Sequence, residues 1–148
     1  MGIFEIFSKN LVNDAEVKLV ANEDVTGKLS GLDLKHEMDA HGAWKTKLHK
    51  LLESDDCENL DVVISAGDCY CTLGKWLYGN GKAIYGRTPE YEALRIAHAN
   101  LHTTAGEVLT EHILGNSDEA QHLLKTKFKS ASNRNQLALV RLFAAAKT

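Results

Sequence analysis

Tyr91-Glu92-Ala93-Leu94-Arg95-Ile96-Ala97-His98-Ala99-Asn100-Leu101-His102 is the stretch on which the reading of this chain turns. Tyr91, Leu94, His98, Leu101 and His102 recur at steps of three and four, the spacing of one helical face, while Glu90, Glu92 and Arg95 fall outside it. The stripe continues through Ala105, Val108, Leu109 and His112. Thr88-Pro89 supplies a cap and a proline at the first helical position, and Gly115-Asn116 a stop, so a helix is expected from Pro89 to about Leu114. His98 and His102 then stand one turn apart, about 5.4 Å of rise, both facing the core. Two imidazoles buried together are costly without a shared partner.

Working outward, Cys71-Thr72-Leu73-Gly74-Lys75-Trp76 offers a soft sulfur donor, a small residue and a large apolar anchor. Asp68 reads as the cap of a short helix, which puts Cys71 in the first turn, where free amides and the helix dipole should make its thiol ionise more readily than usual. Tyr78-Gly79-Asn80-Gly81 reads as the end of that helix, followed by a loop to Thr88. Further upstream, Leu34, Met38, His41, Trp44, Leu48 and Leu52 form an apolar stripe on a helix starting near Asp33, with Lys35, Glu37, Lys45, Lys47 and Lys50 off it. His41 is thereby aimed at the core. Downstream, Ser117 reads as the cap of a fourth helix through Leu124, Phe128, Leu137, Val140 and Phe143, with a bend or frayed turn expected in polar Ser130–Gln136.

The expected fold is all-α: an antiparallel helical bundle of three long helices plus a short Cys-bearing one, over residues 30–148, preceded by an N-terminal extension over 1–29. In the extension Ile3, Phe4, Ile6, Phe7, Leu11 and Val12 suit one side of a short amphipathic helix, and Val17, Leu19 and Val25-Thr26-Gly27 look more extended. A chain of 148 residues fits one domain and can bury a core without metal or disulfides. The net charge of −3, with no basic stripe, argues against a nucleic-acid partner. No run suits a membrane span or an export signal, so a cytoplasmic protein without membrane insertion is expected. Cys57, Cys69 and Cys71, an odd number in such a compartment, read as free thiols or metal ligands.

One thiolate and three imidazoles, from Cys71, His41, His98 and His102, make a complete tetrahedral set for one Zn2+ per chain. Four protein ligands close the coordination sphere, which favours a structural or sensing role over hydrolysis. Ala99 stands where a zinc protease of the H-E-x-x-H type has its glutamate, so no enzyme is expected. Three alternatives stay open. A hemerythrin-like di-iron oxygen-binding bundle would need bridging carboxylates, for which Glu107 and Glu111 are nearest but lie off the stripe. A zinc hydrolase would need one ligand withdrawn, and a purely structural zinc would signal nothing.

His41-x-x-Trp44, Cys71-x-Leu73-Gly74-x-Trp76 and His98-x-x-x-His102, in this order and spacing, resemble the chemoreceptor zinc-binding (CZB) domain. The resemblance runs from roughly Leu32 to the C-terminus, with the fourth helix matched by pattern only. It implies His41, Cys71, His98 and His102 as zinc ligands, a helical bundle that commonly forms a homodimer, and a cytoplasmic sensor coupled to a chemoreceptor or a diguanylate cyclase. It also implies signal transduction by redox sensing, in which zinc occupancy or oxidation of the thiolate, notably by hypochlorous acid, alters the domain. Two features depart from the family pattern. No output domain is recognised, so a stand-alone form signalling through a protein partner is expected; and Cys69, two residues from Cys71, could compete as a ligand, resolve an oxidised Cys71, or simply pack beside the site. Trp44, Leu73 and Trp76 are expected to shield the metal, His112 to be a core or interface histidine, and His36, His49 and His122 to be solvated.

Overall fold

A computed structural model describes residues 27–53, 67 and 71–146. The expected amphipathic segment at the N-terminus, the Asp68 cap, Cys57 and Cys69 lie outside the described residues.

The described chain opens with a hairpin that the sequence reading lacks: β1 (Lys28–Leu29) pairs antiparallel with β2 (Leu32–Asp33). Ser30 and Gly31, both with positive φ (48° and 87°), make the two-residue turn. The boundary expected between residues 29 and 30 falls inside this hairpin. Asp33 ends it and starts helix α1 (Leu34–Glu53), its Oδ1 accepting from the His36 amide at 2.8 Å.

Helix α2 (Thr72–Tyr78) does not give way to a loop at its glycines. A second short helix, α3 (Asn80–Tyr85), follows at once, because the break at Gly79 only redirects the chain. Gly81 lies against the Trp76 ring, where a Cβ would sit 2.6 Å from the ring carbons. Helix α4 (Pro89–Ile113) agrees with the expected limits: Thr88 caps it by accepting from the Tyr91 amide, and Gly115 leaves with φ of 83°. Tyr91 ties α4 to α2, its hydroxyl donating to the Leu77 carbonyl at 2.5 Å.

The fourth long helix is divided. Helix α5 (Ser117–Leu123) runs into a wide π-type turn (Leu124–Phe128) and then α6 (Lys129–Ala146). Ser117 is the first helical residue, not the cap; Asn116 precedes it, its side chain donating to Glu111 instead. The irregularity therefore comes earlier than Ser130–Gln136, which is regular helix with Ser132, Asn133 and Asn135 buried. These polar side chains face the interior, so their polarity did not signal exposure.

Helix α4 lies at the centre, packed on α5 and α6, with α1 across them. Two apolar clusters form the core. Leu32, Leu73, Trp76, Leu77, Leu94 and Phe143 belong to one. Leu48, Leu101, Leu109, Leu124 and Phe128 belong to the other. The all-α fold is as expected. Among the described residues no helix is long and apolar enough to cross a membrane.

Candidate metal centre

The two clusters meet at a polar seam. Cys71, His98 and His102 present one donor atom each, all within 4.8 Å of one another. Helix α4 supplies both imidazoles from successive turns of its buried face, their ring centroids 4.6 Å apart and edge to face. His98 is 2% and His102 6% exposed, so neither is a surface histidine.

Cys71 arrives from the start of α2. It is the helix cap itself rather than a residue of the first turn, with extended backbone and its Sγ accepting from the Gly74 amide at 3.3 Å. The sulfur also lies 3.1 Å from His98 Nε2. The expected ease of ionisation is not found for this thiol among its protein neighbours. Burial pushes the Cys71 thiol up, the Gly74 amide opposes this, and the charge of Glu37 adds to the rise. A bound cation would reverse the balance, since a coordinating thiol is deprotonated outright.

His41, on α1, lines the same cavity of about 140 Å³ as Cys71, His98 and His102. It is not drawn into the three-donor cluster: its Nε2 is 2.8 Å from Ser132 Oγ on α6. Burial first, then the neighbouring charges of Lys45 and His102, hold its imidazole down at about 4. A neutral ring is the form that a metal needs.

Trp44 closes one side of the site, its ring 5.2 Å from His102, 6.1 Å from His41 and 5.8 Å from Phe128 in the π-type turn. Leu73 also lines the cavity, as expected. Trp76 serves elsewhere: it packs on Tyr85 and donates to the Ser30 carbonyl at 3.1 Å, anchoring the hairpin. His36, His49 and His122 are exposed, and His112 is buried in α4 beyond the site.

Three residues at the seam were not singled out from the sequence. Glu37, placed off the α1 stripe, is buried and lines the cavity; burial raises its carboxyl above the ordinary range, the charge of His36 opposing and that of Asp33 adding. Its signal was the four-residue step to His41, which puts both on one face. Ser132 and Asn135 share a face of α6 at a step of three, and Asn135 also lines the cavity.

The donor set suits zinc. One sulfur and a pair of buried imidazoles are soft and borderline ligands, and Leu73, Leu101 and Leu139 line the cavity beside them. Glu107 and Glu111, the carboxylates considered for a di-iron centre, are engaged elsewhere, Glu107 with Lys127 at 2.8 Å and Glu111 with Asn116 at 2.7 Å.

Residues 41–109 match the family model of the chemoreceptor zinc-binding domain, CZB. No curated protein and no solved structure matches the chain.

Proposed function

With residues 41–109 as a chemoreceptor zinc-binding domain, we propose that the chain is a zinc-binding regulatory module whose cysteine ligand is the sensing atom. Cys71, His98, His102 and His41 would hold one Zn2+, which supplies a closed tetrahedral centre and no reactive water. No catalytic residue is assigned. The observation that carries the reading is the convergence of Cys71 with His98 and His102 inside the bundle.

Cys71 is well placed for a redox response. It is less deeply buried than its two imidazole neighbours, which favours sulfur as the atom a small oxidant reaches first. Hypochlorous acid converts a thiolate to sulfenic acid with release of chloride: sulfur loses two electrons, chlorine gains them, and the oxygen passes to sulfur. Sulfenic acid is a poorer ligand and a poorer acceptor for the Gly74 amide, so the start of α2 loosens from α4. The change would reach a partner, of the chemoreceptor or cyclase type, through the surface of the bundle. The cytoplasm is the compartment proposed.

A second copy of the chain is proposed on the groove between α4 and α6. Ala93, Ala97, Leu137 and Ala138 line it, Ile96, 55% exposed, lines it too, and Glu90, Arg134 and Arg141 give its lining charges of both signs, a pattern that can complement its own image.

Oxidant titration tests the sensing role. Purified protein should release its zinc to a chromogenic chelator in step with loss of the Cys71 thiol. Zinc retained after that thiol is fully oxidised would remove the redox reading.

A further inference from the structure

His41 sits in the cavity of the three-donor cluster, yet its Nε2 is bonded to Ser132 Oγ at 2.8 Å. Ser132 is fully buried on α6 and His41 is half-buried on α1, so this part-buried hydrogen bond joins α1 to α6. Asn135, one turn further along the same face, lines the cavity with its Oδ1 buried and without a hydrogen-bond partner among the described residues.

Ligands of one tetrahedral zinc lie about 3.3–3.6 Å from each other, given bonds of about 2.0–2.3 Å. His41 is not among the residues whose donor atoms converge within 4.8 Å of one another, and its Nε2 is taken up by Ser132. His41 must therefore move to become a fourth ligand, and movement stretches a bond that is already at optimal length. A ring nitrogen has a single in-plane site, so Nε2 cannot serve Ser132 and a metal together.

We infer that Ser132 is a positioning residue that holds His41 back from Cys71, His98 and His102, so that recruiting His41 to a divalent metal exchanges the His41–Ser132 hydrogen bond for a metal–nitrogen bond. The inference rests on the reading of the cluster as a zinc site. It makes metal occupancy and the α1–α6 seam alternatives for one imidazole. Once His41 has turned, Asn135 Oδ1 is an acceptor available in the cavity for the N–H that a coordinated imidazole presents.

The test is zinc affinity, measured by competition with a chromogenic chelator. Ser132→Ala removes the competing partner and should tighten zinc binding about 2- to 10-fold, the fold-change of one neutral hydrogen bond. Affinity that is unchanged or weaker overturns the inference. Because Ser132 is fully buried, the unaltered chain provides a second measurement: on adding one equivalent of zinc, the His41 Nε2 resonance in an imidazole 15N spectrum should leave its hydrogen-bonded position. A resonance that stays overturns the inference as well. Cys71→Ala separates the two levels. If it leaves zinc affinity intact, the zinc-site reading itself fails and the exchange fails with it; if it abolishes binding while Ser132→Ala changes nothing, only the exchange fails.

Discussion

At the residue scale, the site is a contest between burial and charge. Cys71 and Glu37 are both pushed toward their neutral forms by the low-dielectric seam, and His41 is held neutral at about 4. For His41 the folded state disfavours the proton, so its contribution is complete above the ordinary 6.5 and lost as pH falls through 4. This amounts to about 3 kcal/mol in metal-free protein. Chelated protein should lose thermal stability between these pH values more steeply than its His41→Gln variant, as calorimetry would record. Glu37 has the opposite sign. A raised carboxyl is most favourable to the fold below 4.5 and becomes a liability as pH rises through its raised value, so Glu37→Gln should be the more stable protein at pH 7 in urea unfolding.

The same scale explains what could be read in advance. His98 and His102 were legible because a four-residue step inside an apolar stripe leaves them no direction but inward. Cys71 was legible as a donor, though not as the cap: that depends on its own backbone, which is extended, and on Sγ meeting the Gly74 amide. Ser132 and Asn135 were missed because the polarity of Ser130–Gln136 was read as the sign of a bend or frayed turn. They face a polar seam instead, and only the packing of α6 against α1 and α4 reveals it.

At the scale of elements, the short pieces carry the positioning. The hairpin, two residues per strand, is too brief for any periodicity to register, yet it receives the Trp76 indole and thereby fixes the helix that bears Cys71. Helix α3 was read as loop because two glycines flank Asn80. Gly81 is required there for close approach, not for a chain stop. Gly81→Ala would drive a methyl into the Trp76 ring and the carbonyl of the same residue, and should destabilise the fold by about 1–3 kcal/mol by chemical denaturation. Tyr91→Phe, which removes the hydroxyl bonded to the Leu77 carbonyl, should cost about 1–3 kcal/mol by leaving that buried acceptor unmet.

At the scale of the whole molecule, the buried members of the two apolar clusters include none of the candidate metal ligands. Chelation should therefore leave the helical circular dichroism essentially intact while lowering the melting temperature, the behaviour of a module that responds to metal rather than one that depends on it to fold. Collapse to an unfolded chain on chelation would instead make zinc a structural staple. Phe128→Ala, by contrast, should cost about 3–5 kcal/mol with or without metal, since it empties a fully buried site in the cluster against Trp44. Its effect on zinc affinity should be smaller than that of Cys71→Ala, which removes a donor and should weaken binding by more than about 100-fold.

X-ray absorption at the zinc edge reads the donor set directly. The zinc-loaded protein should give one sulfur at about 2.3 Å and three nitrogens at about 2.0–2.1 Å, with the sulfur shell lost in Cys71→Ala. A spectrum of nitrogen and oxygen alone in the unaltered chain, or a sulfur shell that survives Cys71→Ala, would contradict the convergence of Cys71, His41, His98 and His102 on one ion.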